Sequence, residues 1–146
     1  MTNYREVYQD LFALDDSWHL AHCITGDYSL GAGVAKVFAD DRDMRTKLNK
    51  QYPIVNGAFD ARVGTALLVD NVFNLVTKTD CYAWPTLDTM RDVLEDMAMQ
   101  CAAMGIEKLA MPQIGCGRDR LDWDDVYELI QDIFEDLDIE ILVCTY

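Results

Sequence analysis

The sequence predicts an α/β fold in one domain, and three observations support this prediction. Apolar periodicity switches several times between a strand-like period of two and a helix-like period near 3.6. No repeat, low-complexity tract or Pro/Ser-rich linker interrupts the 146 residues. A composition that is 51% hydrophobic supplies enough apolar surface for one core. We therefore expect residues 1–146 to form a single domain with six strands and three or four helices.

Four strands are expected in the first half of the chain, at residues 4–8, 19–25, 63–69 and 72–77. Asp70-Asn71 between the last two is a plausible tight turn, so these two strands form a hairpin. Between the second and third strands, the glycine segment 31–33 leads into a short helix with apolar residues at helical spacing. The charged stretch 41–50 predicts a second, solvated helix.

The second half begins with the most regular helical pattern in the chain. Pro85-Thr86 is a helix start, apolar residues recur at i+3 and i+4 from Leu87 to Ala102, and Gly105 is a suitable C-cap. A short buried strand at 109–111 ends at Pro112, and Asp122 can cap a final helix. The core face of that helix is expected to contain Trp123, Val126, Ile130, Ile133, Phe134 and Leu137. Residues 139–144 then complete the sheet.

Composition and charge limit the class of protein. The N-terminal residues show neither a signal peptide nor a membrane span, so we expect an unexported, cytoplasmic protein with no membrane partner. Five scattered cysteines and two histidines argue against both a disulfide framework and a zinc or other metal site. The net charge of −14 disfavours extended nucleic-acid binding. Much of the acidity lies in the last third, which leaves room for a small anionic ligand elsewhere.

The first glycine loop, Gly31-Ala32-Gly33, could bring backbone close to a phosphate. Glycines permit such an approach, and the following helix N-terminus offers unpaired N–H groups and a positive dipole end. It fails as a dinucleotide fingerprint because Lys36 stands where the third glycine would be. Taken alone, a Gly-x-Gly segment more often serves as an ordinary turn than as a phosphate-binding loop.

The second glycine loop, residues 112–117, follows a predicted strand. Its amides would lie at the carboxyl-end crevice of the sheet, where α/β folds usually bind ligands, and two such loops can clamp a diphosphate. Asp119 lies between two arginines immediately after it, where it could also serve only as a capping or salt-bridging residue.

Three further side chains have both a chemical and a structural interpretation. Lys78 ends an apolar strand and could be partly desolvated and nucleophilic, or simply extend its ammonium to water. His22 lies within a buried strand and is expected to be a hydrogen-bonded core histidine. Cys116 has no histidine nearby in sequence to activate it, which favours a packing or loop-lining role.

Taken together, several segments resemble the macrodomain family, specifically its terminal ADP-ribose protein glycohydrolase type. The resemblance covers nearly the whole chain. The segments that carry it are Asp10-Leu11-Phe12, Leu20-Ala21-His22-Cys23-Ile24, Gly31-Ala32-Gly33-Val34-Ala35, Leu75-Val76-Thr77-Lys78 and residues 111–121. The last two are the most specific, since the lysine at that strand end and the aspartate after Ile-Gly-Cys-Gly distinguish this type.

This resemblance implies a three-layer α/β/α fold with a mixed six-stranded central sheet. Asp10 would accept a hydrogen bond from the adenine amino group, with Leu11 beside it, and Thr25 would stand near the distal ribose. Lys78 and Asp119 would lie next to its anomeric carbon. Around the diphosphate and distal ribose, the resemblance places Gly31, Ala32, Gly33, Val34, Ala35, Gln113, Ile114, Gly115, Cys116 and Gly117.

The reaction implied is cleavage of the ester that joins ADP-ribose to a protein carboxylate, without a cofactor and by a monomer. Lys78 would be the nucleophile and Asp119 the general acid/base, or Asp119 would activate water while Lys78 stabilises the leaving oxygen. Two departures from the family pattern are Gln9, where a glycine usually precedes the adenine-binding aspartate, and residues 22–25, which replace an asparagine-rich segment.

Four activities therefore compete. The first is hydrolysis of ADP-ribose from Glu or Asp side chains or from related ADP-ribosyl esters. Removal of the phosphate of ADP-ribose 1''-phosphate and release of ADP-ribose from a nucleobase are alternatives on the same fold. The fourth is a non-catalytic reader that only binds ADP-ribose.

Overall fold

The computed structural model describes residues 2–116 and 119–146, and its centre is one six-stranded sheet. The strands are β1 (Asn3–Tyr8), β2 (His19–Thr25), β3 (Ala66–Val69), β4 (Val72–Lys78), β5 (Lys108–Met111) and β6 (Glu140–Thr145). They are ordered β1-β6-β5-β2-β4-β3, and only β3 runs antiparallel to its neighbour. The carboxyl ends of the other five strands therefore meet at one edge of the sheet.

In the described part of the chain, four α-helices cover the two faces of this sheet. They are α1 (Gly33–Arg42), α2 (Met44–Gln51), α3 (Leu87–Met104) and α4 (Trp123–Ile133). One apolar cluster contains Met90 of α3 and Ile130 of α4, and the other contains Phe38 of α1 and Leu48 of α2. Alternate strand residues enter opposite clusters, as Phe73 and Val72 of β4 show. The expected three-layer α/β/α arrangement with a mixed sheet is confirmed.

The helix ends that depend on local capping lie where the sequence predicts them. Thr86 accepts a hydrogen bond from the Thr89 N–H and forms a capping box with that residue, and Gly105 ends α3 with a φ of 66°. Asp122 caps α4 by accepting from the Asp124 N–H at 2.9 Å. The helix ends at Ile133, so Leu137 packs against the core from beyond α4 rather than from its face.

Two predicted boundaries are wrong for the same physical reason. The helix expected at 41–50 is divided, because Asp43 adopts a φ of 54°, which ends α1 at Arg42 and starts α2 at Met44. The strand expected at 63–69 begins only at Ala66, because Gly64 has a φ of 92°. A residue in the left-handed region interrupts regular hydrogen bonding in a helix or a strand. Elsewhere the strand bounds agree with prediction to within one residue.

Among the described residues, no helix is both long and apolar enough to cross a membrane.

Candidate active site

A cleft of about 760 Å³ opens at the edge where the five parallel strands end. One wall is the loop after β2 together with the start of α1, and all five residues of the predicted segment 31–35 line it. Gln113, Ile114 and Gly115 line the other wall, and the side chains of Lys78 and Asp119 also border the cleft. The two glycine loops thus face one common space, at the location where α/β folds usually bind ligands.

Two oppositely charged side chains of the cleft form an ion pair. Lys78 Nζ donates to Asp119 Oδ1 at 2.5 Å, and each side chain is only 15% exposed. Lys78 is the last residue of β4, where a register shift relative to β2 puts it, rather than Thr77, opposite Thr25. The strand irregularity therefore brings the amine to the cleft, 41 positions in sequence from its carboxylate partner.

The loop between β2 and α1 is held in an unusual backbone conformation. Tyr28 and Leu30 have φ values of 57° and 43°, which for non-glycine residues cost about 1–3 kcal/mol each. Both side chains are buried, and the Tyr28 hydroxyl donates to the Tyr52 carbonyl at 2.9 Å. Thr25 Oγ1 donates to Asp27 Oδ1. Contacts with other parts of the chain therefore fix the backbone conformation of the loop between β2 and α1, which forms one wall of the cleft.

The start of α1 has the features of an anion-binding terminus. Its N-cap, Ala32, provides no side-chain hydrogen bond, so the first N–H groups of the helix lack a side-chain acceptor. Ala32 and the first helical residues, Gly33, Val34 and Ala35, also border the cleft. The helix dipole and these amides favour a negatively charged group at this point.

The second loop depends on Gly115. Its φ is 76°, and a Cβ there would lie 2.7 Å from Met90 Cε. The Leu121 N–H donates to the Gly115 carbonyl at 2.8 Å and closes the loop. Gly117, also predicted to contact the ligand, lies outside the described residues, as does Arg118.

Two cysteines near the cleft, Cys23 and Cys116, are protonated thiols. Burial, with a further contribution from Asp119, raises the pKa of Cys23 to about 12. Burial and Asp122 raise the pKa of Cys116 to about 11, and its thiol donates to the Ile114 carbonyl at 3.3 Å. Cys116 is not among the described residues that line the cleft. A packing role agrees with this environment, because the thiolate is the nucleophilic form.

His22 is buried, as expected, but only one of its ring nitrogens has a hydrogen-bond partner among the residues that the structure describes. Nε2 lies 2.6 Å from Asn74 Oδ1, whose amide group donates to the Leu67 carbonyl. This arrangement makes Nε2 the donor and leaves Nδ1 as an acceptor without a partner among the described residues. Burial lowers the pKa of His22 to about 4, so the ring is neutral near pH 7.

Asp10 and Leu11 follow β1 at the same edge of the sheet but are not among the described cleft-lining residues. Asp10 accepts a hydrogen bond from the Phe12 N–H at 3.0 Å and caps a 3-10 turn, and Leu11 is buried. The adenine contact assigned to Asp10 stays a prediction. Oδ1 accepts the hydrogen bond from Phe12, so Oδ2 is the oxygen that would accept from the adenine amino group.

Sequence reasoning missed the segment after β4. Cys81, Ala83 and Trp84 all line the cleft, and Trp84 is 61% exposed. The signal that could have identified it is an aromatic residue in a loop a few positions after Lys78. Among residues 2–116 and 119–146, no group of three or more His, Cys, Asp or Glu side chains is arranged to hold a metal ion.

Solved structures share this architecture across nearly the whole chain. The macrodomain of Mycobacterium tuberculosis DarG superposes with a TM-score of 0.81 at 23% identity, covering 100% of this chain and 98% of its own. Thermosipho africanus DarTG, solved in complex with ADP-ribose, gives a TM-score of 0.72 at 19% identity over 97% of this chain and 41% of its own. These likenesses define the fold as that of a macrodomain.

Relatives found by sequence similarity show which kind of macrodomain this chain resembles in sequence. The ADP-ribose glycohydrolase OARD1 of Homo sapiens is 37% identical over 137 residues, which cover 93% of this chain and 87% of the relative. OARD1 of Bos taurus matches to the same extent. No protein-family model matches the sequence. The chain belongs to the macrodomain family of these ADP-ribose glycohydrolases, as the sequence motifs predict.

Proposed function

We propose that this protein is an ADP-ribosyl hydrolase that removes ADP-ribose from Glu or Asp side chains or from related ADP-ribosyl esters. The observation that carries the proposal is the Lys78–Asp119 pair, held at 2.5 Å in a cleft between two glycine loops. The names of the OARD1 relatives support an ADP-ribose glycohydrolase activity.

The nucleotide can extend along the carboxyl edge of the sheet. Asp10 follows β1, and Lys78 ends β4, four strand positions away in the sheet order. At about 4.8 Å per strand this separation is about 19 Å. The start of α1, which follows β2, would hold the diphosphate between them. In this orientation adenine lies towards Asp10 and the distal ribose towards Lys78.

In the covalent route, Asp119 first takes a proton from Lys78. The amine then forms a bond to the anomeric carbon while the carbon–oxygen bond to the protein breaks, and the leaving carboxylate takes the electron pair and then the proton that Asp119 holds, which returns Asp119 to its carboxylate form. Water next adds to the same carbon and gives its proton to Asp119, while the carbon–nitrogen bond breaks and returns the amine.

In the direct route, Asp119 takes a proton from water, whose oxygen attacks the anomeric carbon. The Lys78 ammonium stabilises the negative charge that develops on the leaving carboxylate oxygen. Both routes need the same two side chains in contact, and both release free ADP-ribose and the unmodified carboxylate.

A substrate panel tests the proposal against the alternatives. Protein ADP-ribosylated on Glu/Asp, ADP-ribose 1''-phosphate and base-linked ADP-ribosyl DNA are each incubated with the wild type and Lys78→Ala. We expect the wild type to release ADP-ribose from the Glu/Asp-linked substrate and Lys78→Ala to lose about 100-fold or more in rate. Lys47→Ala is a matched control, because Lys47 pairs with Asp70 at 2.8 Å on the surface.

The panel gives each alternative a distinct result. Phosphate release alone would identify a 1''-phosphatase, and preference for the DNA substrate would identify a nucleobase-linked hydrolase. Binding without release from any substrate would identify a reader. Full activity of Lys78→Ala would overturn the assignment of Lys78.

We also propose that the protein works as a cytoplasmic monomer without a membrane partner. The net charge of −14 supports the monomeric state and the lack of a membrane partner, since like charges repel copies of the chain and polyanionic surfaces. Light scattering at the concentration found in cells should give one mass near 16.6 kDa. A stable dimer mass would contradict the monomer.

A further inference from the structure

Beyond Lys78, the cleft is bordered by a large apolar surface that the reaction itself does not use. Trp84 lies six residues after the end of β4, lines the cleft and is 61% exposed. Its neighbours on the same wall, Cys81 and Ala83, are much smaller. An indole exposed within a ligand cleft offers apolar area that a bound group would remove from water.

A cation lies against this indole. The Arg120 guanidinium carbon is 5.4 Å from the centroid of the Trp84 ring, a cation–π distance. Arg120 makes no ion pair with any residue of the described ranges 2–116 and 119–146. The planar guanidinium can therefore stack on the ring and still donate hydrogen bonds to a carboxylate.

The position of this pair is coupled to the reacting groups. Arg120 immediately follows Asp119 in the chain, and the Asp119 carboxylate forms an ion pair with Lys78. Arg120 has a φ of 59°, and the N–H of the next residue, Leu121, donates to the Gly115 carbonyl at 2.8 Å. A non-glycine residue in this region carries strain, which persists only where the surroundings hold it. The loop therefore holds Arg120 at a defined place beside the Lys78–Asp119 pair.

The strand order shows which part of a substrate this surface faces. Trp84 follows β4 along the chain, lines the cleft and contacts Arg120, and β4 lies about 19 Å along the sheet from β1, the strand that Asp10 follows. This step rests on the proposed function. If adenine lies towards Asp10 and the anomeric carbon beside Lys78, the group next to Trp84 is the one that leaves.

We propose that Trp84 and Arg120 form a leaving-group subsite that recognises an acidic peptide. The indole packs against the residue next to the modified side chain, and Arg120 pairs with the carboxylate of a neighbouring Glu or Asp. A nucleic acid could also stack a base on Trp84 and place a phosphate on Arg120. The net charge of −14 opposes a polyanion far more than a short peptide with one extra carboxylate.

The test compares substrates that differ only in the leaving group. Two synthetic peptides carry ADP-ribose on one Glu and have either Glu or Gln beside it, and O-acetyl ADP-ribose has no peptide. For Trp84→Ala and Arg120→Gln we expect KM for the acidic peptide to rise about 5–10-fold. Each substitution should therefore lower kcat/KM about 5–10-fold more for the acidic peptide than for O-acetyl ADP-ribose. Arg120→Gln should also remove the preference for Glu over Gln.

Two variants control for folding. Trp84→Phe keeps an aromatic face and should recover most of the acidic-peptide KM. Tyr82→Ala removes a 90% exposed aromatic residue that is not among the described residues lining the cleft, and it should behave as the wild type.

Each other result overturns the subsite. Suppose that the wild type hydrolyses the peptides and that Trp84→Ala and Arg120→Gln have the same KM as the wild type. This result would show that neither side chain contacts the peptide. An equal loss on the acetyl ester would show that they act on the ADP-ribosyl part. A larger KM change on base-linked ADP-ribosyl DNA would identify a nucleic-acid subsite instead. A wild type inactive on every substrate would overturn the proposed function, and the subsite with it.

Discussion

Replacing Gly115 by alanine tests whether the second glycine loop is shaped by steric need. The alanine Cβ would lie 2.7 Å from Met90 Cε and 2.9 Å from Leu121 Cδ1, at a φ of 76°. The left-handed conformation costs an alanine about 1 kcal/mol, and crowding in a packed site costs about 1–3 kcal/mol. Met90 is flexible but fully buried, so it can yield only by displacing its neighbours. We expect a loss of about 2–4 kcal/mol of unfolding free energy.

Two other glycines separate the contributions. At Gly105 the φ is 66° and no atom lies within 4 Å of an added Cβ, so Gly105→Ala should show only the conformational cost of about 1 kcal/mol. At Gly31 the nearest atom is the Ser29 carbonyl oxygen at 4.0 Å, and φ lies outside the left-handed region. Gly31→Ala should therefore change stability least of the three.

Urea unfolding of the three variants provides the measurement, with the slope against urea checked for constancy. Thermal midpoints should follow the same order, at about 2–4 °C per kcal/mol for a chain of this size. Equal destabilisation by Gly115→Ala and Gly105→Ala would refute the crowding argument. No loss in either variant would refute the conformational argument as well.

Three further predictions concern Asp119, Asp10 and His22. Asp119→Ala should retain a covalent ADP-ribosyl adduct on Lys78, seen as added intact mass after incubation with Glu-linked substrate; slow turnover without an adduct would favour the direct route. Asp10→Ala should weaken ADP-ribose binding about tenfold or more by calorimetry but leave ribose 5-phosphate binding unchanged, and an equal effect on both ligands would contradict an adenine contact. Burial lowers the pKa of His22 from 6.5 to about 4, so the unfolded chain takes up this proton first as pH falls. The contribution of neutral His22 to the unfolding free energy is fully present above about pH 6.5 and falls by up to about 3 kcal/mol towards pH 4. The unfolding free energy of His22→Gln should therefore depend less on pH over that window. The same pH dependence in the variant and the wild type would contradict this prediction.

Local sequence was sufficient for most of the fold. The bounds of β2, the Thr86 and Asp122 caps and the Gly105 C-cap depend on residues within a few positions of one another. The two wrong boundaries arose at Asp43 and Gly64, where the chain enters the left-handed region. Nothing in the apolar periodicity marks Asp43, because its conformation depends on how α1 and α2 both pack against the sheet.

For the cleft, local sequence was enough to predict the two glycine loops, the lysine at a strand end and the aspartate after the second loop. The three-dimensional packing establishes that Lys78 meets Asp119 across 41 positions, that His22 Nδ1 has no hydrogen-bond partner among the described residues, and that the Arg120 guanidinium lies over the Trp84 ring. Side chains far apart in sequence meet through the strand order and the register shift at the end of β2. Periodicity and turn residues report which face of an element is buried, but they do not report which elements become neighbours.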